Sequence, residues 1–380
     1  MLGIALGVLL FGCASPQPLP RIDPTDGRCT RRADTPIVDL PCTLSLLTYN
    51  VHGISNWMIL NENRGDQRFR SASLGWLARD YDLVLLQEDF EYHDRITEGP
   101  TVAFVQRGTG PRWTLWPLKA LTLPFWPLRF SAPYGSGLTI TAPALQPVKI
   151  KEEGEVKRTD GVIVREALKA CNGWITDAND CFSTKGVLGM RLLLRNGAEI
   201  DVYTTHLDAG GSADDRKARR KQLEQIRKKI EKKSKGRALI FAGDLNLEYD
   251  ALPGTAINPD LALLRSELIE PLGLTDVGVR QTGKHFGHRV DWVLYRGTPA
   301  VNLQVLKYGE DERFRHPFNR GLVDEKPDYF EGMLSDHPAL GVCFLVEKVP
   351  PGGPAPTVVA SRQPRADSLD ALHLCRHPAI

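Results

Sequence analysis

The sequence predicts an α+β fold in which two β-sheets pack face to face and helices lie outside them. Short apolar runs typical of strands outnumber stretches with helical spacing, and the strands come in series. A chain of 380 residues, 42% of them hydrophobic, can bury the large core that such a sandwich requires. The net charge of +2 excludes a protein that binds polyanions through its overall charge balance.

The individual elements follow from the hydrophobic pattern, taken in chain order. Continuous apolar runs of strand length predict strands at 44–50, 82–88, 101–105, 137–141, 186–194, 200–205, 237–242, 290–295, 301–306 and 338–346. Helical spacing of apolar residues predicts helices over 67–79 and 214–233. The second helix is strongly basic. Its charged face is expected to be solvated or, if functional, to bind anionic lipid or nucleic acid phosphates.

The N-terminal segment is typical of an exported lipoprotein. Residues 1–12 are almost wholly apolar and lead to Cys13, where a lipobox would be cleaved and acylated. No Lys or Arg precedes this run, so a mis-assigned start or a fragment of a longer signal is the alternative. We expect a signal peptide at 1–12, a tether at 13–42, a folded domain at 43–347 and a Pro/Gly-rich tail at 348–380. The expected location is a bacterial envelope membrane, through acylated Cys13, or otherwise secretion.

Cysteine usage agrees with export. Seven cysteines are present, and the even remainder after Cys13 suggests disulfides in an oxidising compartment. Pairing of sequence neighbours would join Cys29 to Cys42, Cys171 to Cys181 and Cys343 to Cys375, although the sequence leaves the connectivity open. None of these cysteines has the spacing of zinc ligands.

Six short polar clusters lie at or just past the ends of apolar runs. They contain carboxylates and amides that suit a hard metal ion, and imidazoles that can transfer protons. In chain order they are Thr48-Tyr49-Asn50, Leu86-Gln87-Glu88, Thr205-His206-Leu207-Asp208, Gly243-Asp244-Leu245-Asn246, Arg289-Val290-Asp291 and Leu334-Ser335-Asp336-His337-Pro338. This order predicts an active site that is built from the ends of many strands.

In order and spacing these clusters resemble the endonuclease/exonuclease/phosphatase superfamily, which has the DNase I-like fold. The resemblance extends from about Leu44 to Glu347. It implies a four-layer α/β sandwich, a metal-dependent phosphodiesterase activity, and Mg²⁺ as cofactor, with Mn²⁺ as the alternative. A non-catalytic surface-binding protein of the same fold is a further hypothesis, but such a protein would have no need of the full polar set.

The chemistry of phosphodiester hydrolysis assigns a role to each cluster. Metal ligands are expected at Asn50, Glu88 and Asp336, because carboxylate and amide oxygens suit Mg²⁺. His337 is the expected general base, and the resemblance assigns Asp291 to orient it. The remaining catalytic candidates are His206, which would donate to a phosphoryl oxygen, and the pair Asp244 and Asn246. That pair is expected on a turn after its strand.

Simpler interpretations accompany these assignments. The amide of Asn50 could cap a turn, Glu88 could be a solvated acid at a strand end, and the stretch around His337 could be a turn that enters a strand. The related enzymes leave it open whether Asp244 and Asn246 orient the nucleophile or leaving group or hold a second metal ion. His52 departs from the pattern, since several nucleases of the family carry an acid there. It is assigned either to substrate contact or to filling the turn.

Two segments bear on the substrate. The stretch 181–188 resembles the neutral sphingomyelinase branch, so Lys185 is expected to contact phosphate or order the strand entrance, or else to be an ordinary exposed lysine. The aromatic segment Trp113–Phe130 is either a buried insertion or a membrane-facing surface. We therefore expect a monomer that hydrolyses a phospholipid in the manner of a sphingomyelinase. An extracellular DNA or RNA endonuclease is the alternative.

Overall fold

A computed structural model describes most of the predicted domain. The described residues are 27–30, 36–53, 67–90, 93–97, 105–107, 137–142, 145–152, 155–158, 160–172, 185–249, 259–278, 289–314, 334–350 and 375. The expected signal peptide, Cys13, Cys181 and the aromatic segment 113–130 lie outside these ranges. Among the described residues, no helix is both long enough and apolar enough to cross a bilayer.

Strands dominate the fold, as the sequence predicts. The strands are β1 (Cys42–Asn50), β2 (Leu83–Gln87), β3 (Val105–Arg107), β4 (Thr139–Thr141), β5 (Gln146–Pro147), β6 (Ile150–Glu152), β7 (Glu155–Arg158), β8 (Val162–Ala167), β9 (Gly186–Leu193), β10 (Glu199–His206), β11 (Leu239–Tyr249), β12 (Thr275–Asp276), β13 (Arg289–Arg296), β14 (Val301–Glu310) and β15 (Leu340–Lys348). The helices are α1 (Gln67–Ala78), α2 (His93–Thr97), α3 (Ala213–Lys233), α4 (Pro259–Leu264) and α5 (Glu270–Leu272), with a π-helical turn at Arg265–Ile269 and a 3-10 turn at Glu312–Phe314.

The strands form two mixed sheets. The first sheet has the order β14-β15-β1-β2-β4-β3, and the second has the order β12-β13-β11-β10-β9-β5 with β8 also paired to β9. Strands β6 and β7 form a separate hairpin. Each large sheet contains one parallel pair at its centre, β1 with β2 and β10 with β11, among antiparallel neighbours. The carboxyl ends of each parallel pair meet at one edge of their sheet, where polar side chains can converge.

Alternating side chains produce three apolar layers. Leu44 and Leu46 of β1 face the second sheet, where they join Val202 and Ile240 in the central core. The opposite face of the first sheet packs against α1, and the outer face of the second sheet packs against α3 and α4. The result is helix, sheet, sheet and helix, which confirms the predicted α+β sandwich.

Disulfides attach both ends of the domain to the first sheet. Cys29 is bonded to Cys42 at the start of β1, and Cys343 in β15 is bonded to Cys375. Cys171 is also disulfide-bonded, but the predicted partner lies outside the described residues. Residues 27–30, within the predicted tether, also pair with β1 through backbone hydrogen bonds.

Several elements differ from the predicted ones, among them the unpredicted helix α2. Strand β11 runs on through Asp244 and Asn246, so the predicted turn at these residues is wrong. The helical segment from α4 to α5 was not predicted, because Pro271 and a π-helical turn interrupt its periodicity. The short strands β5 to β8 and β12 were not predicted either.

Candidate active site

Polar side chains from both sheets meet in a crevice at the edge where β1, β2 and β10 end and where β11 passes His206. The first sheet contributes residues that follow β1 and β2, together with the segment that leads into β15. The second sheet contributes residues at the end of β10, in the middle of β11 and at the starts of β9 and β13. The predicted site residues brought together here are Asn50, His52, Glu88, Lys185, His206, Asp244, Asn246, Asp291, Asp336 and His337.

Glu88 supplies a carboxylate oxygen, Oε2, that could bind a ligand. Its side chain is only 14% exposed, and burial raises its pKa to about 7. Its Oε2 atom has no hydrogen-bond donor among the described residues, although buried carboxylate oxygens are normally paired. Its backbone has a φ of 54°, so the chain accepts a strained conformation at this position. A buried, unpaired carboxylate oxygen in a polar crevice fits a cation.

Two further groups lie beside Glu88 on the first-sheet side. His52 Nδ1 is 3.5 Å from Glu88 Oε2 and 3.2 Å from Asp336 Oδ2. Asp336 is 35% exposed, so it borders the mouth of the crevice. Its loop is fixed to β1 by Ser335, whose buried hydroxyl donates to the Asn50 carbonyl oxygen at 2.7 Å.

Asn50 contacts both His52 and Asp244 across the crevice. Its Oδ1 accepts a hydrogen bond from the backbone N–H of His52 at 3.1 Å, on the side of Glu88 and Asp336. Its Nδ2 points the other way, donates to Asp244 Oδ2 at 3.0 Å, and lies 3.4 Å from His337 Nε2. One amide therefore connects an oxygen-rich pocket with an imidazole.

His337 and Asp291 form an oriented imidazole–carboxylate pair. Nδ1 of His337 lies 2.8 Å from Asp291 Oδ2, so its N–H donates to the carboxylate and Nε2 faces the crevice. Burial lowers the pKa of His337, but the charges of Asp291 and Asp244 and the hydrogen bond to Asp291 outweigh it and raise the pKa well above its ordinary value. This is the geometry of an acid–base group whose ring orientation is set by a partner.

His206 faces a buried lysine. Lys185 is 4% exposed and its Nζ lies 3.1 Å from His206 Nε2. An ammonium only donates, so Nε2 accepts and Nδ1 carries the proton. Burial, followed by the charge of Lys185, lowers the pKa of His206 to about 3, and the ring is therefore neutral. The interpretation of Lys185 as an exposed lysine is wrong.

Asp244 and Asn246 are held rigidly by the strand. Asp244 Oδ1 accepts from the Asn246 backbone N–H at 2.9 Å, and the Asn246 side chain donates to the Leu207 carbonyl oxygen at 3.0 Å. Gly243 makes this possible because any Cβ there would lie 2.1 Å from the Thr205 carbonyl oxygen. The φ of Gly243, 151°, also disfavours other residues.

Sequence reasoning missed two supporting residues. Gln87 is fully buried between the sheets and donates to Thr204 Oγ1 of β10 at 2.9 Å and to Thr48 Oγ1 of β1 at 3.2 Å. Ser335 ties the loop of Asp336 to β1, as described above. Both lie within predicted clusters but were assigned no role, and a polar residue inside an otherwise apolar strand was the signal available for Gln87.

Ligand atoms also converge on the other side of Asn50. Asp244, Asp291 and His337 each place one such atom within 4.8 Å of the others. His337 Nδ1 already engages Asp291 in a hydrogen bond, so the geometry fits an acid–base pair as well as a ligand set. If Asp244 were a ligand of a second metal ion, as the alternative interpretation has it, Asp291 and His337 would be its neighbours in that site.

Comparisons with known proteins agree with this architecture. Residues 148–272 match the model of Endonuclease/Exonuclease/phosphatase family 2. Sphingomyelinases of Mycobacterium bovis and Mycobacterium tuberculosis are 26% identical over 308 residues, which cover 77% of this chain and 53% of theirs. The chain therefore spans about half the length of these curated relatives.

Solved structures share the fold. Two crystal structures of beta toxin from Staphylococcus aureus, one of them a mutant with bound magnesium ions, are 18% and 17% identical. Each has a TM-score of 0.50 and covers 79% of this chain, against 99% and 98% of the toxin chains. These likenesses show that the chain shares the fold of these structures, and residues 148–272 resemble Endonuclease/Exonuclease/phosphatase family 2.

Proposed function

We propose that the protein is a Mg²⁺-dependent phosphodiesterase that hydrolyses a phospholipid in the manner of a sphingomyelinase. The observation that carries this proposal is the convergence of a buried carboxylate and an oriented imidazole around Asn50 in one crevice. An unpaired buried carboxylate lies on one side of the amide, and an oriented imidazole lies on the other. Hydrolysis of a phosphodiester requires a cation site and a proton acceptor side by side.

The residues on the Glu88 side fit a magnesium ion. Glu88 and Asp336 offer carboxylate oxygens, and Asn50 Oδ1 retains a second lone pair beyond its bond to His52. When bound, Mg²⁺ would polarise a phosphoryl oxygen and offset the negative charge of these carboxylates. Manganese, which takes the same ligands, is the alternative.

The remaining residues divide the work of proton transfer and charge stabilisation. His337 Nε2 faces the crevice and can exchange a proton with water, while Asp291 holds its Nδ1–H. Lys185 carries the positive charge on the second-sheet side and can donate to a phosphoryl oxygen. Asp244 fixes the amide of Asn50, and Asn246 fixes Asp244.

A lipid substrate is favoured by the curated relatives, which are sphingomyelinases. The disulfides Cys29–Cys42 and Cys343–Cys375 favour an exported protein, for which an outer lipid surface is accessible. Acylation of Cys13 would anchor the protein at such a surface.

Nucleic acid hydrolysis is the second candidate, and the exposed lysines of α3 favour it. Lys217, Lys221, Lys228 and Lys232 are exposed and follow helical spacing, which places them along one face. However, α3 starts near the end of β10, at the crevice, and leads back to the opposite end of β11. Its apolar side packs on the outer face of the second sheet, so its exposed lysine face points away from that sheet.

One parallel assay tests the proposal. Purified protein with Mg²⁺ would be incubated with sphingomyelin vesicles, plasmid DNA and a soluble phosphodiester, with Glu88→Gln as the inactive control. We expect release of phosphocholine from sphingomyelin by the wild type alone. Nicking of DNA without hydrolysis of sphingomyelin would favour the nuclease, and no Glu88-dependent activity on any substrate would contradict phosphodiesterase function.

A further inference from the structure

Asp89, which directly follows Glu88, is a buried carboxylate that the proposed chemistry does not use. The residue is only 1% exposed. Its Oδ2 accepts a hydrogen bond from Thr139 Oγ1 of β4 at 2.6 Å and contacts Nδ1 of His93, the first residue of α2. Because a carboxylate only accepts, His93 donates from an Nδ1–H group. One side chain thus ties the end of β2 to β4 and to α2.

The backbone at Glu88 has a conformation that needs support from its neighbours. Glu88 lies just past the last residue of β2, and its φ of 54° is in the left-handed region that is uncommon for residues other than Gly. Its carbonyl oxygen accepts from the N–H groups of Gly53 and Phe90, each at 2.9 Å. A strained residue keeps its conformation only when the surrounding structure holds it firmly. The contacts of Asp89 supply the hold on the side that follows Glu88.

The segment that leads into β4 holds Asp89 at two points. The backbone N–H of Asp89 donates to the Gly137 carbonyl oxygen at 2.9 Å, and Thr139, further along the segment, donates to the side chain. The approach is close, since a Cβ on Gly137 would lie 2.5 Å from the Asp89 nitrogen and 2.9 Å from the Glu88 carbonyl carbon. Thr139 is fully buried and pairs with Leu86 of β2, so the sheet fixes the position of its hydroxyl.

A second buried carboxylate, at the opposite end of β2, provides a comparison. Asp82 is also 1% exposed, and its Oδ2 accepts from the Ser45 hydroxyl at 2.8 Å. Asp82 precedes the first residue of β2, whereas the crevice lies past the last one, so its hydrogen bonds contribute to stability alone. The two places share a buried carboxylate and a hydroxyl donor. They differ because a strained residue of the crevice adjoins Asp89 only.

We propose that Asp89 is a positioning residue, whose hydrogen bonds from Thr139 and His93 hold the Glu88 carboxylate in the crevice. This inference rests on the proposed function, because that function assigns Glu88 to the metal ion. Without these bonds the turn at Glu88 would relax toward negative φ. The carboxylate would then leave its present place, where Oε1 lies 3.9 Å from His206 Nδ1. Groups that orient a metal ligand typically change metal affinity by about 10- to 100-fold.

Calorimetric titration of the full-length protein with Mg²⁺ tests the proposal without relying on activity. Thr139→Val removes the hydroxyl but keeps the shape, and the dissociation constant of Mg²⁺ should rise by about tenfold or more. His93→Phe, which removes the other donor, should act in the same direction. Thr139→Ser keeps a hydroxyl and should restore binding close to that of the wild type.

Ser45→Ala is the matched control, because it removes a hydroxyl donor from the buried carboxylate of Asp82. Urea denaturation should show a loss of stability similar to that of Thr139→Val. The affinity for Mg²⁺ should stay at the wild-type value, since no residue of the crevice adjoins Asp82. The comparison therefore separates positioning of Glu88 from a general loss of stability.

The possible failures are distinguishable. Wild-type Mg²⁺ affinity in both Thr139→Val and His93→Phe would overturn the role of Asp89 and leave the proposed function intact. An equal loss of affinity in Ser45→Ala would mean that lowered stability weakens the site, which also overturns the role of Asp89. No Mg²⁺ binding to the wild type, even at millimolar metal, would contradict the proposed function as well. If Thr139→Val does not fold, His93→Phe and Asp89→Asn decide the question.

Discussion

The two sheets contribute different kinds of groups to one crevice. The first-sheet side provides Glu88, His52 and Asp336 from turns, one of them 35% exposed and two with left-handed backbones. The second-sheet side provides His206 and Asp244 from strands, with side chains only 3% and 2% exposed. Turn residues at the mouth can adjust to a ligand, whereas strand residues are fixed by the sheet ladder. The comparison suggests that metal affinity depends on the first side and charge placement on the second.

The largest effect is expected on the first-sheet side, at Glu88. Glu88→Gln keeps the shape of the side chain but removes its carboxylate charge from the crevice. We expect metal-dependent hydrolysis to fall by a factor on the order of 10³ or more. Thermal stability should be unchanged or higher, because an unpaired buried carboxylate is lost. EDTA should reproduce the loss of activity in the wild type, and activity that survives thorough chelation would contradict the metal assignment.

A nearly equal effect is expected where the sides meet, at the pair of His337 and Asp291. His337→Gln should lower kcat by a factor on the order of 10² to 10⁴, the usual contribution of a placed acid–base group. KM and the dissociation constant of Mg²⁺ should change little, because the proposed ligands are intact. A change confined to metal affinity would instead indicate that His337 is a ligand, as its grouping with Asp244 and Asp291 permits.

Lys185 tests the second-sheet side alone. Lys185→Met removes the ammonium but keeps most of the apolar stem, so the strand entrance should remain packed. We expect a loss of about 10- to 100-fold in kcat/KM with Mg²⁺ affinity unchanged. The pKa of His206 should rise, because Lys185 is the second cause of its depression after burial. Histidine NMR titration measures that shift. An unchanged pKa of His206 would mean that Lys185 and His206 are not electrostatically coupled.

The sequence anticipated the residues of the crevice better than their surroundings. Every polar cluster could be placed because each ends an apolar run, and strand ends converge in a two-sheet fold. The turn predicted at Asp244 was wrong because Gly243 and polar neighbours resemble a turn, while the ladder to β13 continues across an irregularity. Burial of Lys185 could not be predicted, since a lysine before a strand is ordinarily solvated. These errors concern tertiary contacts, which local patterns do not contain.

Beneath the crevice, Gln87 joins the two sides. Gln87→Leu would leave the hydroxyls of Thr48 and Thr204 without their amide donor in a dry core. We expect the free energy of unfolding to fall by about 1–3 kcal/mol, the usual cost of unpaired buried polar groups. Urea denaturation measures this loss. If stability is unchanged and kcat falls, the Gln87 amide helps to position the residues of the two sheets in the crevice and does not stabilise the packing of the sheets.

The smallest effect is expected for the hydrogen-bonded cluster of Tyr81, Asp311 and Arg313, which lies behind the first-sheet side. Tyr81 donates from its hydroxyl to Asp311 Oδ2 at 2.7 Å, and Arg313 pairs with the same carboxylate. The backbone N–H of Asp311 in turn donates to the Ala339 carbonyl oxygen, two residues beyond His337. Removing the hydroxyl should therefore weaken the support of the loop that carries Asp336 and His337 without altering the site itself. Tyr81→Phe is expected to cost about 1 kcal/mol of stability at pH 7.

The pH dependence of that cost identifies its origin. Burial alone would raise the pKa of Asp311, but hydrogen bonds from Arg313 and Tyr81 outweigh it, and the pKa is below its ordinary value. A carboxyl group whose folded pKa is depressed stabilises the protein above its unfolded pKa, and this stability is lost as the pH falls through the folded value. The difference in unfolding free energy between the wild type and Tyr81→Phe should thus be full at neutral pH and shrink in acid. A difference that persists unchanged below the pKa of Asp311 would mean that the Tyr81 hydroxyl contributes through packing. The cluster would then not depend on the charge of the Asp311 carboxylate.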